Sequence, residues 1–319
     1  MGVQWQGTRA VPRLELGEAL MEFVAQQDEF IGTRVLPIFR SVKKEANFPA
    51  ITRESITRDA ETKRAPRSGY NRDGFEAKDK TFNCEEFGLE GILDDSERAL
   101  YATDFDAELT TVQITMRRVM QAQEKRIADM IFNTATWSGA ALFTDNSAAP
   151  WDVPASDVLG QIRAAKQKVK QNAGLLPNAV IFNDINLDRL KSNAGILEAI
   201  KYTARTTDQE LMNALADLFG IPLVIVAKGI RNSAKEGKPF VSADIWSDDF
   251  AMLAIIATDA QRLVQPAVGR TFLWIDDSPE NAVVESYREE PLRSDVFRVR
   301  HHVDELVIDP FFAHLMKVD

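Results

Sequence analysis

The side chains of this 319-residue chain that could do chemistry are few and scattered. Cys84 is its one cysteine, so no internal disulfide can form, and no histidine stands near it at a spacing used for nucleophilic catalysis. A single thiol fits a reducing compartment. His301 and His302 are adjacent and shortly precede Asp304 and Glu305. Neighbouring side chains of a strand point to opposite faces, so the two rings cannot ligate one ion, and a polar strand or interface is the expected role. His314 stands alone and reads as a surface or packing residue. The pairs Asp94-Asp95, Asp248-Asp249 and Asp276-Asp277 read as turn or capping residues rather than catalytic dyads. No phosphate-binding loop, dinucleotide fingerprint, nucleophile elbow or zinc-protease motif occurs. The segment Lys228–Lys238 carries Lys228, Arg231, Lys235 and Lys238 and could touch phosphate, but a solvated loop or a contact within a ring of subunits is preferred. No catalytic residue, cofactor site or metal site is therefore expected.

What must be positioned is then not a reaction centre, and the distribution of charge says more than any motif. Apolar residues make up 45% and charged residues 27%, as in ordinary globular proteins, which excludes wholesale disorder and fibrous classes. The 38 basic residues against 48 acidic ones give a net charge of −10, which argues against an unstructured nucleic-acid binder. The length suggests about two domains. The longest apolar runs, Ile221–Ala227 and Phe250–Ala257, fall far short of the roughly 20 residues that span a membrane. The first 30 residues contain Arg9, Arg13, Glu15 and Glu18 and no continuous apolar stretch, so no signal peptide is visible and the chain reads as soluble and cytosolic.

Two adjoining segments depart from the average. Residues 52–80 contain no Leu, Val, Met or Trp, and carry eight basic side chains against six acidic ones. Residues 81–110 carry nine acids against Arg98 alone. The first segment cannot bury enough apolar area within its own subunit to offset its ordering entropy. It is either a disordered surface loop or an arm ordered by lying on a neighbour. Turn signals at Pro66-Arg67-Ser68-Gly69 and Asn71-Arg72-Asp73-Gly74 would close a long hairpin.

Residues 1–50 read as an arm with a short amphipathic helix through Leu16, Leu20, Phe23 and Val24. From Asp104, with Thr103 or Asp104 as cap, the stripe Phe105, Leu109, Val112, Met116, Val119, Gln123, Ile127 and Met130 predicts one long helix to about residue 133, a structural spine rather than a coiled coil. Trp137–Pro154 reads as a boundary loop. An alternating helix–strand segment follows. It has a helix capped by Ser156 and closed by Gly174, a strand at Ala179–Phe182, and a helix at Asp184–Ser192. A capping box at Thr207 and Glu210 opens a helix to Phe219, and strands follow at Ile221–Ala227, Pro239–Trp246 and Phe250–Ala257. Ala282–Tyr287 and Val296–Ile308 read as strands joined at Glu290–Arg293.

Three stretches carry a family likeness: Trp151–Leu159 with Gly174–Phe182 after it, Leu211–Pro222 leading into a strand, and Val284–Val296. With the arm, the hairpin and the spine, they make the chain resemble the major capsid proteins of tailed bacteriophages, whose fold encapsulin shells share. The resemblance implies an α+β capsid fold. Residues 1–50 would be the N-terminal arm, 51–90 an extended E-loop, and 91–154 a P-domain with its spine helix at about 104–133. Residues 155–275 would form an α/β A-domain pointing at the capsomer axis, and 276–319 the C-terminal strands of the P-domain.

On that resemblance the chain would assemble with itself into pentamers, hexamers and an icosahedral shell that encloses phage DNA without sequence-specific binding. It would be found in the virion capsid after assembly in the bacterial cytoplasm. Because the arm begins almost at Met1, a separate scaffolding protein is expected, with a portal and a decoration protein as further partners. Lys63, Lys78 and Lys80 could enter a covalent cross-link of the kind some relatives make, but no partner Asn and Glu can be placed. Arg58, Arg64, Arg67 and Arg72 of the E-loop would face Asp94, Asp95 and Glu97 of the next subunit, and Lys228, Arg231, Lys235 and Lys238 would lie near the capsomer axis. An encapsulin-like compartment, another phage structural part and an unrecognised α/β enzyme are the alternatives. A deep pocket with perturbed carboxylates would mark the last of these.

Overall fold

A computed structural model describes residues 11–12, 29–51, 53–74, 76–102, 105–200, 208–279 and 281–319. The helix expected through Leu16–Val24, the cap at Thr103 or Asp104 and the Thr207 half of the capping box lie outside them.

Two sheets and one long helix organise the described residues. The first sheet is built from β1 (Val11–Pro12), β2 (Ile38–Ser41), β5 (Glu85–Asp94), β12 (Gly269–Trp274), β13 (Val283–Glu289) and β14 (Ser294–Val307). Its order is β1-β13-β14-β12-β2, with β5 pairing antiparallel to β14 from Asp94↔Ser294 to Glu85↔Val303. The second sheet holds β6 (Phe143–Asp145), β7 (Ala179–Asn183), β8 (Leu223–Ala227), β11 (Phe250–Ala254) and β15 (Ala313–Lys317), in the order β6-β15-β11-β7-β8. Two ribbons project from this frame: β3 (Glu45–Ile51) with β4 (Ala77–Asn83), and β9 (Ile230–Asn232) with β10 (Ser242–Asp244).

The spine helix runs Ala107–Ile131. Its 25 residues extend about 37 Å at 1.5 Å each. Asp106 caps it, accepting from Leu109 N at 3.1 Å. The helix starts later than the apolar stripe suggests, because the acids before it open a separate short helix, Asp95–Tyr101. Phe105 is left exposed. Val112, Met116 and Val119 pack on Leu93, Val284, Phe297 and Val299 of the first sheet. Ile127, Ala128 and Ile131 enter the larger core around the second sheet. One helix thus belongs to both cores.

The acidic segment 85–94 forms a ten-residue strand that the sequence reading left unassigned. Its apolar alternation is thin, and Gly88 and Gly91 interrupt it. At Gly91 the spine helix comes so close that an added Cβ would lie 2.6 Å from Thr115 Oγ1 and 2.7 Å from Thr111 Cγ2.

Several boundaries shift for physical reasons. Trp137–Pro154 is not a loose boundary: Trp137 and Trp151 are buried, their indole N–H groups donate to Ile131 O at 2.6 Å and Gln161 Oε1 at 2.8 Å, and β6 lies between them. The next helix, Val158–Ala173, is capped by Asp157, which accepts from Gly160 N at 2.8 Å, while Ser156 Oγ donates to Pro150 O. Gly174 ends it at φ 71°, as the sequence suggested. Of Pro239–Trp246 only Ser242–Asp244 is strand. The last strand, β15, is grouped by chain order with the C-terminal strands but pairs between β6 and β11 in the second sheet, while β12 of the 155–275 segment pairs in the first. The buried run Ala313–Met316 fits only a core strand.

Candidate assembly surfaces

The hydrophilic segment is the far end of a long hairpin. Glu45–Ile51 pairs with Ala77–Asn83, and the stem packs Phe48 and Phe82 on Phe272 of the first sheet, with Phe82 stacked on Phe272 at 4.4 Å. Cys84 is buried in this aromatic cluster, where desolvation pushes its thiol up to about 12, so it is held as an inert thiol. Beyond the stem the chain turns once, at 66–68, where Ser68 N donates to Ala65 O at 3.1 Å and Arg67 takes φ 69°. The second expected turn, at Asn71–Gly74, does not form. Asn71 Nδ2 instead bridges the two limbs by donating to Glu61 O at 2.7 Å.

Arg58, Arg64, Arg67 and Arg72 are all exposed on this extension. Arg64 lies over the Tyr70 ring at 4.7 Å and donates to Ser68 O. Among the described residues none of the four makes an ion pair. The acids expected to meet them already have partners in their own subunit. Asp94 accepts from Ser96 N at 2.8 Å and Glu97 from Asp94 N at 3.4 Å, which closes a capping box, and the Ser96 hydrogen bonds hold the Asp94 carboxyl low. Asp95 receives both guanidinium nitrogens of Arg288 at 2.7 Å, which lowers its pKa. The structure therefore does not bring the arginines and these acids together within one subunit.

Lys228, Arg231, Lys235 and Lys238 lie along the β9–β10 ribbon. The segment expected as a polar loop is a closed hairpin, tied at its tip by Ser233 N to Val241 O at 2.9 Å and by the Asn232 side chain, which accepts from Ala234 N and Val241 N. Lys228 and Arg34 flank a groove of about 370 Å³ along β8. Ile230, Phe240 and Val241, which no sequence signal singled out, are exposed on the same ribbon, Phe240 at 65%. Its surface is as apolar as it is cationic.

The buried polar groups fix elements in place. His301 and His302 point to opposite faces, as strand geometry requires. His301 is 1% exposed against Phe87, and burial, then the Arg126 guanidinium, lowers its pKa to about 4. His302 Nδ1 lies 2.7 Å from Asp277, beside Arg300. His314 is a core residue rather than a surface one: Nδ1 and Nε2 contact Ala141 O at 3.0 Å and Thr144 Oγ1 at 2.9 Å, an arrangement that suits the neutral ring, and burial lowers its pKa. Glu124, which no sequence signal singled out, is 3% exposed on the spine helix and accepts from Ile31 N at 2.9 Å, Gly32 N at 2.7 Å and Trp246 Nε1 at 2.6 Å. Burial raises its pKa and the three donors oppose the rise.

Asp304 is likewise raised by burial and by nearby Glu305 and Glu85, in an open groove of about 340 Å³ where Asn83 N donates to it at 2.9 Å. Among the described residues no group of three His, Cys, Asp or Glu side chains could hold a metal ion, and no helix is long and apolar enough to cross a membrane.

No family model matches the sequence. The chain is 23% identical over 282 residues to the major capsid protein of Burkholderia phage BcepMu, covering 85% of this chain and 87% of that one. Its structure superposes on a phage-related protein of Bordetella bronchiseptica with TM-score 0.73 and 18% identity, covering 97% and 98% of the two chains. It also superposes on the SrpI encapsulin of Synechococcus elongatus with TM-score 0.54 and 8% identity, covering 98% and 91%. Long spine, projecting hairpin and two-sheet frame together make this the capsid fold that tailed-phage head proteins share with encapsulin shells.

Proposed function

We infer that the chain is a structural shell protein, a major capsid protein that assembles with copies of itself into the closed shell of a phage head. The observation that carries this is the capsid fold over nearly the whole chain, joined to a relative named as a phage major capsid protein. The phage reading is preferred to an encapsulin-like compartment because that sequence relative is a phage protein. The role is structural rather than enzymatic.

In this reading Glu45–Asn83 is the E-loop hairpin, residues 155–275 supply most of the A-domain, and the β9–β10 ribbon with Lys228, Arg231, Lys235 and Lys238 lies toward the capsomer axis. Heterologous contacts that close on rotation build the rings. Arg58, Arg64, Arg67 and Arg72, unpaired by any acid of the described residues, reach an adjacent copy. Asp94, Asp95 and Glu97 are candidate receivers, though their own subunit already engages them. Single exposed pairs contribute roughly 0–1 kcal/mol, so the hairpin acts by repetition and by setting register. The shell forms in the host cytoplasm with a scaffolding protein and a portal. An acidic chain encloses DNA without gripping it.

The double variant Arg64→Glu/Arg67→Glu tests the clasp. It is expected to leave the circular dichroism melt unchanged, since both side chains are exposed, and to abolish shells seen by sedimentation. Wild-type shell yield from this variant would remove the hairpin from the account.

A further inference from the structure

Arg270, on β12, is fully buried, yet it forms no ion pair among the described residues. Its guanidinium donates to four main-chain carbonyl oxygens of one loop: Asp259 at 3.1 Å, Ala260, Arg262 at 2.5 Å and Gln265 at 3.3 Å. Two further side chains brace the same loop. Gln265 receives Asp259 N at 2.9 Å and donates to Thr258 Oγ1 at 2.6 Å. Gln261 donates to Ile38 O at 3.1 Å and accepts from Arg40 N at 3.3 Å, tying the loop to β2. Burying a charge is costly unless its donors are satisfied; here the two terminal nitrogens are used to shape a surface loop, while Nε finds no hydrogen-bond partner among the described residues.

The loop so held carries Val264 at its tip, 71% exposed and the most exposed large aliphatic side chain among the described residues. Leu263 beside it folds back toward the aromatic cluster under the hairpin stem. Val264 gains nothing from this order within its own subunit. An apolar tip on a loop fixed in advance is the arrangement that lowers the entropic cost of association.

We propose that the loop Asp259–Ala267 is a pre-shaped contact that seats Val264 on a second copy of this chain, with Arg270 as its positioning residue. The inference rests on the shell reading above and adds a contact that the arginine hairpin does not supply. One observation chooses a second copy as the occupant. The loop and the hairpin stem form the walls of one cavity of about 170 Å³, lined by Ala50, Glu54, Lys78 and Lys80 as well as Val264, so the surface is continuous with the hairpin that the shell reading places on the neighbour.

The test compares full-length wild type, Val264→Asp, Val264→Ile and Arg270→Lys by sedimentation, electron microscopy and thermal melting. Val264→Asp is expected to melt like wild type and to lose assembly, because withdrawing one buried valine per contact weakens association by about tenfold. Val264→Ile is expected to assemble like wild type. Arg270→Lys loses the forked donors and is expected to assemble poorly, with faster hydrogen exchange at 259–267. If that variant fails to fold, Val264→Asp still decides. Wild-type shells together with equal yield from Val264→Asp would overturn this contact alone. A wild-type chain that never assembles would overturn the shell reading and this contact with it.

Discussion

At the scale of single residues, the buried polar groups hold elements of the two cores in register. Glu124 is the clearest case: one carboxylate on the spine helix ties down the amides that open Gly32–Val35 and the Trp246 indole. A Cβ added at Gly32 would lie 2.6 Å from Glu124 Oε2 and 2.8 Å from Ile127 Cδ1, so a larger residue there must displace both side-chain ends. His301 carries a pH dependence whose sign follows from its depressed pKa. The folded chain binds the proton less well than the unfolded chain, so stability is fully present above the ordinary value near 6.5 and falls as pH drops toward about 4. That window corresponds to roughly 3 kcal/mol for this one ring. Denaturant titrations at pH about 7 and about 4 should show His301→Phe losing less stability between the two than wild type. Equal losses would mean that the folded chain binds the His301 proton as readily as the unfolded chain does.

At the scale of elements, the acidic strand β5 depends on an absence of side chain. Gly91→Val would press on Thr111 and Thr115 and push the spine helix off the strand, and overpacking of this kind costs about 1–3 kcal/mol, measurable as a lower denaturation midpoint. A midpoint unchanged from wild type would show that the helix does not rest on the strand at that position. The same contact shows what could be read in advance. The spine was legible because eight side chains keep helical spacing over seven turns. The helix before Gly174 was legible from its closing glycine, although its cap is Asp157 rather than Ser156. The strand β5 was not, since its order comes from pairing with β14 and from a glycine that meets a helix distant in sequence. Trp137 and Trp151 looked like loop residues because their partners, Ile131 and Gln161, are recognisable only once the chain is folded. Of the assembly surfaces, the charges of hairpin and ribbon could be seen. Phe240, Val264 and the Arg270 clamp could not, because exposure and burial of isolated side chains leave no periodic trace.

At the scale of the whole molecule, the net charge of −10 describes no single surface. Among the described residues Arg58, Arg64, Arg67 and Arg72 make no ion pair, while the acids that follow them are engaged by caps and by Arg288, Arg298 and Arg300. A subunit of this kind is complete as a fold and incomplete as an object: it presents a projecting cationic hairpin, an apolar ribbon and a braced loop, none of which its own core needs. In the proposed shell each projection would meet another copy. Electron microscopy of the purified full-length chain tests this most directly. The account predicts closed shells or capsomer rings built from the one protein. A monodisperse small oligomer under every assembly condition, whatever activity it showed, would contradict it.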